Sequence, residues 1–166
     1  MMLTVHYHYL CINNMKKIKF LKLHSADDNS VLIANSKEII YINTDPDLGD
    51  KKTTIATYSD DEERVVNETP DKIYVHLENY GFVRCHRKSD NSVELFNIDY
   101  FIVCSTDEEG DTIVYLSNSI EMCVNETPER IYNAIIQAQT LYNREDVENT
   151  VVKKKTQQNA NKDQKQ

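Results

Sequence analysis

Residues 66–74 read Val-Asn-Glu-Thr-Pro-Asp-Lys-Ile-Tyr, and residues 124–132 read Val-Asn-Glu-Thr-Pro-Glu-Arg-Ile-Tyr. A stretch written twice within 166 residues sets the size and number of the units a chain can fold into, and so constrains it more than any compositional figure. The recurrence extends upstream. Phe20, His24, Asp28-Asn29-Ser30-Val31 and Asn35 return 62 positions later as Phe82, His86, Asp90-Asn91-Ser92-Val93 and Asn97. Gly49-Asp50 returns as Gly110-Asp111 at a separation of 61, and Thr54-Ile55 as Thr112-Ile113 at 58. The separation changes only within polar stretches, as expected if surface turns absorb length differences while packed elements stay aligned.

Each copy reads as several short strands followed by one helix. In the first, 18–24, 30–34, 38–43, 53–58 and 64–66 are rich in β-branched and aromatic residues and bounded by Asp, Asn, Ser and Gly. In the second, 82–86, 93–96, 100–104, 112–116 and 120–124 match them. Thr69 and Thr127 suit the N-cap, Pro70 and Pro128 the first helical position, and Asp71 and Glu129 the positive end of the helix dipole. The second helix should run to about Tyr142, with Ile131, Ala134, Ile135, Ala138, Leu141 and Tyr142 in one apolar stripe. The first is shorter, with Ile73, Tyr74 and Leu77 inward, and Gly81 stands where a helix turns over into left-handed geometry. The fold class expected is β-rich α+β: two repeated modules, 15–80 and 81–143, each a small antiparallel sheet followed by one helix. A unit of roughly 60 residues is marginal alone, so the two are expected to share a core.

Residues 1–14 match nothing in the recurrence, and Met15-Lys16-Lys17 precedes the first strand as a natural start would. They read as a leader that need not be translated. Residues 144–166 read as a disordered polar tail. No stretch is long or apolar enough to span a membrane, and no secretory signal is recognisable, since the Lys residues follow the apolar stretch. Absent Trp, scarce Gly and abundant Asn, Lys, Ile and Tyr accompany AT-rich genomes and point to a low-GC bacterium, a phage or a mobile element.

The residues capable of chemistry have structural explanations. Cys85 and Cys104 fall opposite Leu23 and Ile42, and Cys123 opposite Val65, so they read as small, reduced core hydrophobes and imply a cytoplasmic setting. His6 and His8 share one side of an extended segment, but two ligands make no metal site. His24 and His86 each close a strand ahead of a polar turn, where hydrogen bonding accounts for them. The acidic runs 60–63 and 107–109 read as solvated turns, lacking the ligand order of a calcium loop. No phosphate-cradling loop or nucleophile elbow is present. No catalytic, cofactor-binding or metal residue is assigned, no cofactor is expected, and the chain reads as a non-enzyme.

Charge speaks to partners. The net charge of −8 divides into +4 over residues 1–24, +2 over 144–166 and −14 over 25–143. So acidic a body disfavours a phosphate backbone and favours a protein partner or self-assembly. Arg84, Arg87 and Lys88 form the compact basic cluster inside a module, and with Lys153, Lys154 and Lys155 they are the candidate partner-binding residues.

The run of strands, polar hairpin and final strand leading into Val-Asn-Glu-Thr-Pro-Glu-Arg-Ile-Tyr-Asn-Ala-Ile resembles the small FlbD-like flagellar accessory family and short uncharacterised proteins of bacterial phages and mobile elements. The likeness covers about 18–79 and 82–137, once per copy. It implies a protein-interaction or assembly role, in the cytoplasm or, for a phage protein, in the virion. Strands running through an acidic hairpin into a short helix also resemble LytTR-type DNA-binding domains, which implies, as the alternative, a nucleic-acid-binding regulator.

Overall fold

The computed structural model describes residues 18–44, 53–58 and 63–143. The leader 1–14, the tail 144–166 with Lys153, Lys154 and Lys155, the two N-terminal histidines and Cys11 lie outside the described residues. Among the described residues the chain is β-rich α+β, with ten strands in three antiparallel sheets and two α-helices.

The first half holds β1 (Phe20–His24), β2 (Val31–Asn35), β3 (Ile39–Thr44), β4 (Thr53–Thr57), β5 (Arg64–Val66) and α1 (Pro70–Leu77). The second holds β6 (Phe82–His86), β7 (Val93–Asn97), β8 (Phe101–Thr106), β9 (Thr112–Leu116), β10 (Ile120–Val124) and α2, residues 128–143. Local chemistry explains the punctuation. The β1–β2 and β6–β7 turns place Asn29 and Asn91 at φ 58°, left-handed backbone that Asn tolerates better than most residues. Asp28 Oδ1 accepts from the Ser30 N–H at 2.9 Å, and Asp90 Oδ1 from the Ser92 N–H at 3.0 Å, so Asp-Asn-Ser closes both turns. Thr69 Oγ1 accepts from the Lys72 N–H at 3.4 Å and Thr127 Oγ1 from the Arg130 N–H at 3.3 Å, capping both helices.

The central sheet has the order β5-β4-β3-β7-β6, so the halves join through β3 and β7, with Tyr41 opposite Phe96 and Ile42 opposite Leu95. The β1–β2 hairpin meets β5 through a bridge between Ser25 and Val66, and β6 meets β10 through one between Arg87 and Val124. Backbone bonds reinforce both corners: Asn67 N–H to His24 O at 2.9 Å, and Asn125 N–H to His86 O at 2.8 Å. The strands therefore follow one another laterally as a ribbon, β2-β1-β5-β4-β3-β7-β6-β10-β9-β8.

The expectation of one shared core is corrected. Two apolar clusters form, each drawing on both halves. Phe82, Leu95 and Ile39 belong to the cluster with Leu21, Ile73 and Leu77, while Val83, Phe96 and Ile40, their immediate neighbours in sequence, belong to the cluster with Val114, Ile131 and Ile135. Successive strand residues face opposite ways, so a central sheet apolar on both faces serves two cores and not one.

Two smaller expectations also change. Thr44 pairs with Thr53 and Thr106 with Thr112, so β4 and β9 correspond at a separation of 59 rather than 58. The sequence offers two adjacent threonines there, and cross-strand pairing selects Thr53. Cys85 is fully buried, but Cys104 and Cys123 are only partly so. Cys104 lies on β8, which pairs only with β9 among the described residues.

Gly81 has φ +80°, and a Cβ there would meet Ile98 Cγ1 at 3.2 Å. Gly81→Ala should therefore lower stability by about 1–2 kcal/mol from left-handed strain and crowding. Urea unfolding would show this as a lower midpoint with unchanged slope; an unaltered midpoint would refute the strain argument.

Candidate functional site

The two histidines singled out by their recurrence are not held by the turns that follow them. His24 Nδ1 lies 2.6 Å from Glu68 Oε1, and its backbone N–H donates to Glu68 Oε2 at 3.0 Å. His86 makes the same pair of contacts with Glu126, at 2.6 and 3.0 Å. Each glutamate comes from the Asn-Glu-Thr-Pro step, so its carboxylate clasps a strand end to the start of a helix. Each neighbouring asparagine completes the corner: Asn67 Nδ2 donates to Asn29 Oδ1 at 3.1 Å, and Asn125 Nδ2 to Asn91 Oδ1 at 2.9 Å. Burial works to raise the Glu68 carboxyl, but hydrogen bonds from the His24 imidazole and backbone outweigh it and hold Glu68 below its ordinary 4.5.

The basic cluster is largely spoken for. Arg87 Nε donates to Glu94 Oε1 at 2.8 Å and its Nη2 to the Thr44 carbonyl at 2.8 Å, while the Tyr41 hydroxyl donates to the same Glu94 oxygen at 2.7 Å. Glu94 is buried, so this knot ties β3 to β7 in the interior. Burial first, then the Glu94 carboxylate, push the Tyr41 phenol far above its ordinary 10. Arg84 Nε pairs with Asp71 at 3.0 Å, and Lys88 Nζ with Asp111 at 3.0 Å. Arg84, Arg87 and Lys88 thus lie near one another in sequence, but each faces a different carboxylate.

The two ends of the ribbon present apolar side chains to solvent. On the β1–β2 hairpin Phe20 and Ile33 are each 64% exposed, and on β8 Ile102 is 62% exposed. Their counterparts 62 positions away are at most 1% exposed: Leu95 and Ile40 on the junction strands β7 and β3, and Phe82 next to them on β6. Beside β2 lies an apolar groove of about 290 Å³ lined by Leu23, Leu32, Ala34, Ile55 and Val66, among others. A larger groove of about 560 Å³ runs between β1 and α1, past Phe20, Lys22, Lys72 and Val75. The exposed apolar positions had a signal in the sequence: Phe20 recurs as Phe82, although only one of the pair can occupy the junction.

Glu68→Gln should cost about 1–2 kcal/mol near neutral pH by weakening a charge-assisted bond. Because the folded carboxyl titrates below its unfolded value, that contribution is complete above about pH 4.5 and disappears as pH falls through the lower folded value. Urea midpoints of wild type and Glu68→Gln should therefore differ near neutrality and converge in acid; a gap that widens in acid would contradict the assignment. Arg87→Met, which strands a buried carboxylate, should cost about 3–5 kcal/mol. Arg84→Met, at a more exposed pair, should cost about 1 kcal/mol or less, and equal losses would show that Arg87 has no special role at the junction.

Comparison with known proteins adds one likeness. No protein-family model and no curated protein matches the chain, so the FlbD-like resemblance gains no support from either. Among solved structures, a LytTr DNA-binding domain from Bacillus cereus superposes with a TM-score of 0.52 at 14% identity, covering 70% of this chain and 95% of that domain. At that identity the likeness is one of fold, and a LytTr-like β-rich arrangement is what the comparison establishes.

Proposed function

We propose that this chain is a non-enzymatic protein-interaction or assembly module, made of two copies of one β-rich unit and engaging partners along its outer strands, β2 and β8. The observation that carries this reading is the exposure of Phe20, Ile33 and Ile102 while their counterparts Phe82, Leu95 and Ile40 are buried where the two halves meet. The same positions that make a junction inside the chain stand open at its ends. Strand edges bordered by exposed apolar side chains recruit further strands readily, and such pairing is a common mode of protein recognition. The acidic body supports a protein partner over a phosphate backbone. The histidines support a non-catalytic reading, since each is committed to a structural carboxylate. The setting we propose is the cytoplasm, or the virion if the chain is phage-encoded.

The second reading is a nucleic-acid-binding regulator, and the LytTr-like fold is what favours it. In that reading Arg84, Arg87, Lys88 and Lys153, Lys154 and Lys155 would supply the phosphate contacts. The first three would each have to give up or share a carboxylate partner.

A photo-crosslinking residue placed at Ile33 or Ile102 in the cells that make the protein tests the first reading. Adducts with protein at both positions, but not at the exposed helical position Tyr132, are expected. Nucleic-acid adducts, or none at either edge, would overturn it. Fluorescence anisotropy with random duplex DNA at roughly 50 and 200 mM salt tests the second, since phosphate-driven binding weakens steeply over that range. Little binding is expected at the lower salt. Salt-sensitive binding lost on removing Arg84 and Lys88 would establish the regulator reading instead.

A further inference from the structure

We infer that β8 of one copy of this chain pairs with β2 of another, continuing the ribbon head to tail as β3 and β7 continue it inside the chain. The inference rests on the interaction reading above and names the partner: a second copy of the same chain.

The internal junction supplies the template. There β3 and β7 run antiparallel with Tyr41 opposite Phe96 and Ile42 opposite Leu95. The strand that occupies the place of β3 in the second half is β8, which carries the same irregularity, a register shift between Phe101 and Val103 where β3 has one between Ile39 and Tyr41. The strand that occupies the place of β7 in the first half is β2, paired to β1 as β7 is to β6. Among the described residues neither β8 nor β2 pairs with another strand on its outer edge. Displacing the template by 62 residues sets Val103 opposite Ala34 and Cys104 opposite Ile33 of the neighbouring copy.

Side chains fit that register in both directions. Phe82 and Leu95 are buried in the first-half cluster beside Ile39 and Ile42. Their counterparts Phe20 and Ile33 are exposed, and the surface they would meet, Phe101 and Cys104, is only partly buried. In return, Ile40 lies in the second-half cluster with Cys85, Phe96, Val114 and Val124. The residues at the corresponding places in the first half, Leu23, Ala34, Ile55 and Val66, line the open groove of about 290 Å³. That groove is the empty counterpart of the place Ile40 fills, and exposed Ile102 is the side chain that corresponds to Ile40.

Polarity changes in concert across the junction. Inside the chain the contact is the Tyr41, Glu94 and Arg87 knot. At the corresponding positions of the outer strands stand Val103, Leu32 and Ser25, so none of the three members of the charged knot has a charged counterpart in the intermolecular version, while Glu38 and Arg64 lie on the wall of the groove. Had only one of the two sides changed, Val103 would face a buried carboxylate or Tyr41 a leucine. The contact is heterologous, using a different surface on each partner, so it propagates into a filament or closes into a ring according to its rotation per chain.

The test is sedimentation velocity on the full chain over a concentration series, with Ile33→Asp and Ile102→Asp. Both side chains are exposed, and circular dichroism and urea midpoints close to wild type would show that each variant folds. Wild type is expected to form species larger than dimers as concentration rises. Each variant alone should remain monomeric, because every junction needs one intact β8 and one intact β2. Mixed, the two should yield a one-to-one dimer and nothing larger, since Ile33→Asp still offers β8 and Ile102→Asp still offers β2. A variant that self-associates alone, or a mixture that fails to pair, overturns the head-to-tail contact, as does a wild type that stays monomeric up to its solubility limit. In that last case, protein adducts at positions 33 and 102 in the cell would leave the interaction reading standing with a foreign partner. Adducts within one chain would identify its own terminal segments as the cover, and no adducts would sink both proposals together.

Discussion

The pairing of β3 with β7 is the contact on which the arrangement depends. Its backbone ladder is short, with two aligned residue pairs, yet it turns two small sheets into one ribbon and gives each apolar cluster its missing side chains. Fully burying a Phe or Leu contributes about 1.5–3 kcal/mol, so Phe82 and Leu95 supply the first-half core with an amount comparable to much of a small domain's net stability. Glu94 shows how tightly the contact is specified. A carboxylate buried at a junction is tolerable only with its partners in place, and Tyr41 and Arg87 reach it from the two halves.

What could be read from the sequence was mostly local. Asp-Asn-Ser closes its turn through a side-chain bond to a residue two positions on, Thr-Pro starts its helix through a bond three positions on, and Gly81 turns the chain by its own backbone freedom. Each of these depends on neighbours in sequence, and each was legible. The strand spans were legible for the same reason, since turn residues bound them on both sides. The histidine and glutamate clasp depends on residues 44 and 40 positions apart and was missed, although His24 with Glu68 and His86 with Glu126 recur together and that joint recurrence was a signal.

The junction was hidden for a different reason. Recurrence in sequence reports what two halves have in common, whereas a contact between halves is made by what differs. Tyr41, Glu94 and Arg87 stand opposite Val103, Leu32 and Ser25, and these mismatches mark where the halves meet. The basic cluster illustrates a related limit of local pattern. Arg87 looked like a surface charge because its partners, Glu94, Thr44 and Tyr41, come from strands whose proximity no local pattern discloses.

The exchange of side chains across the central sheet also bears on how the chain comes apart. Gly81 looks like a boundary between domains, with a helix ending before it and a hairpin beginning after it. Yet the first-half core contains Phe82 and Leu95 from beyond that boundary, and the second-half core contains Ile40 from before it. Cutting the backbone at Gly81 would therefore release no intact half, since each piece would carry an opened core. The halves are therefore expected to unfold as one cooperative unit, and a nascent chain would keep its first core incomplete until the second hairpin had been made.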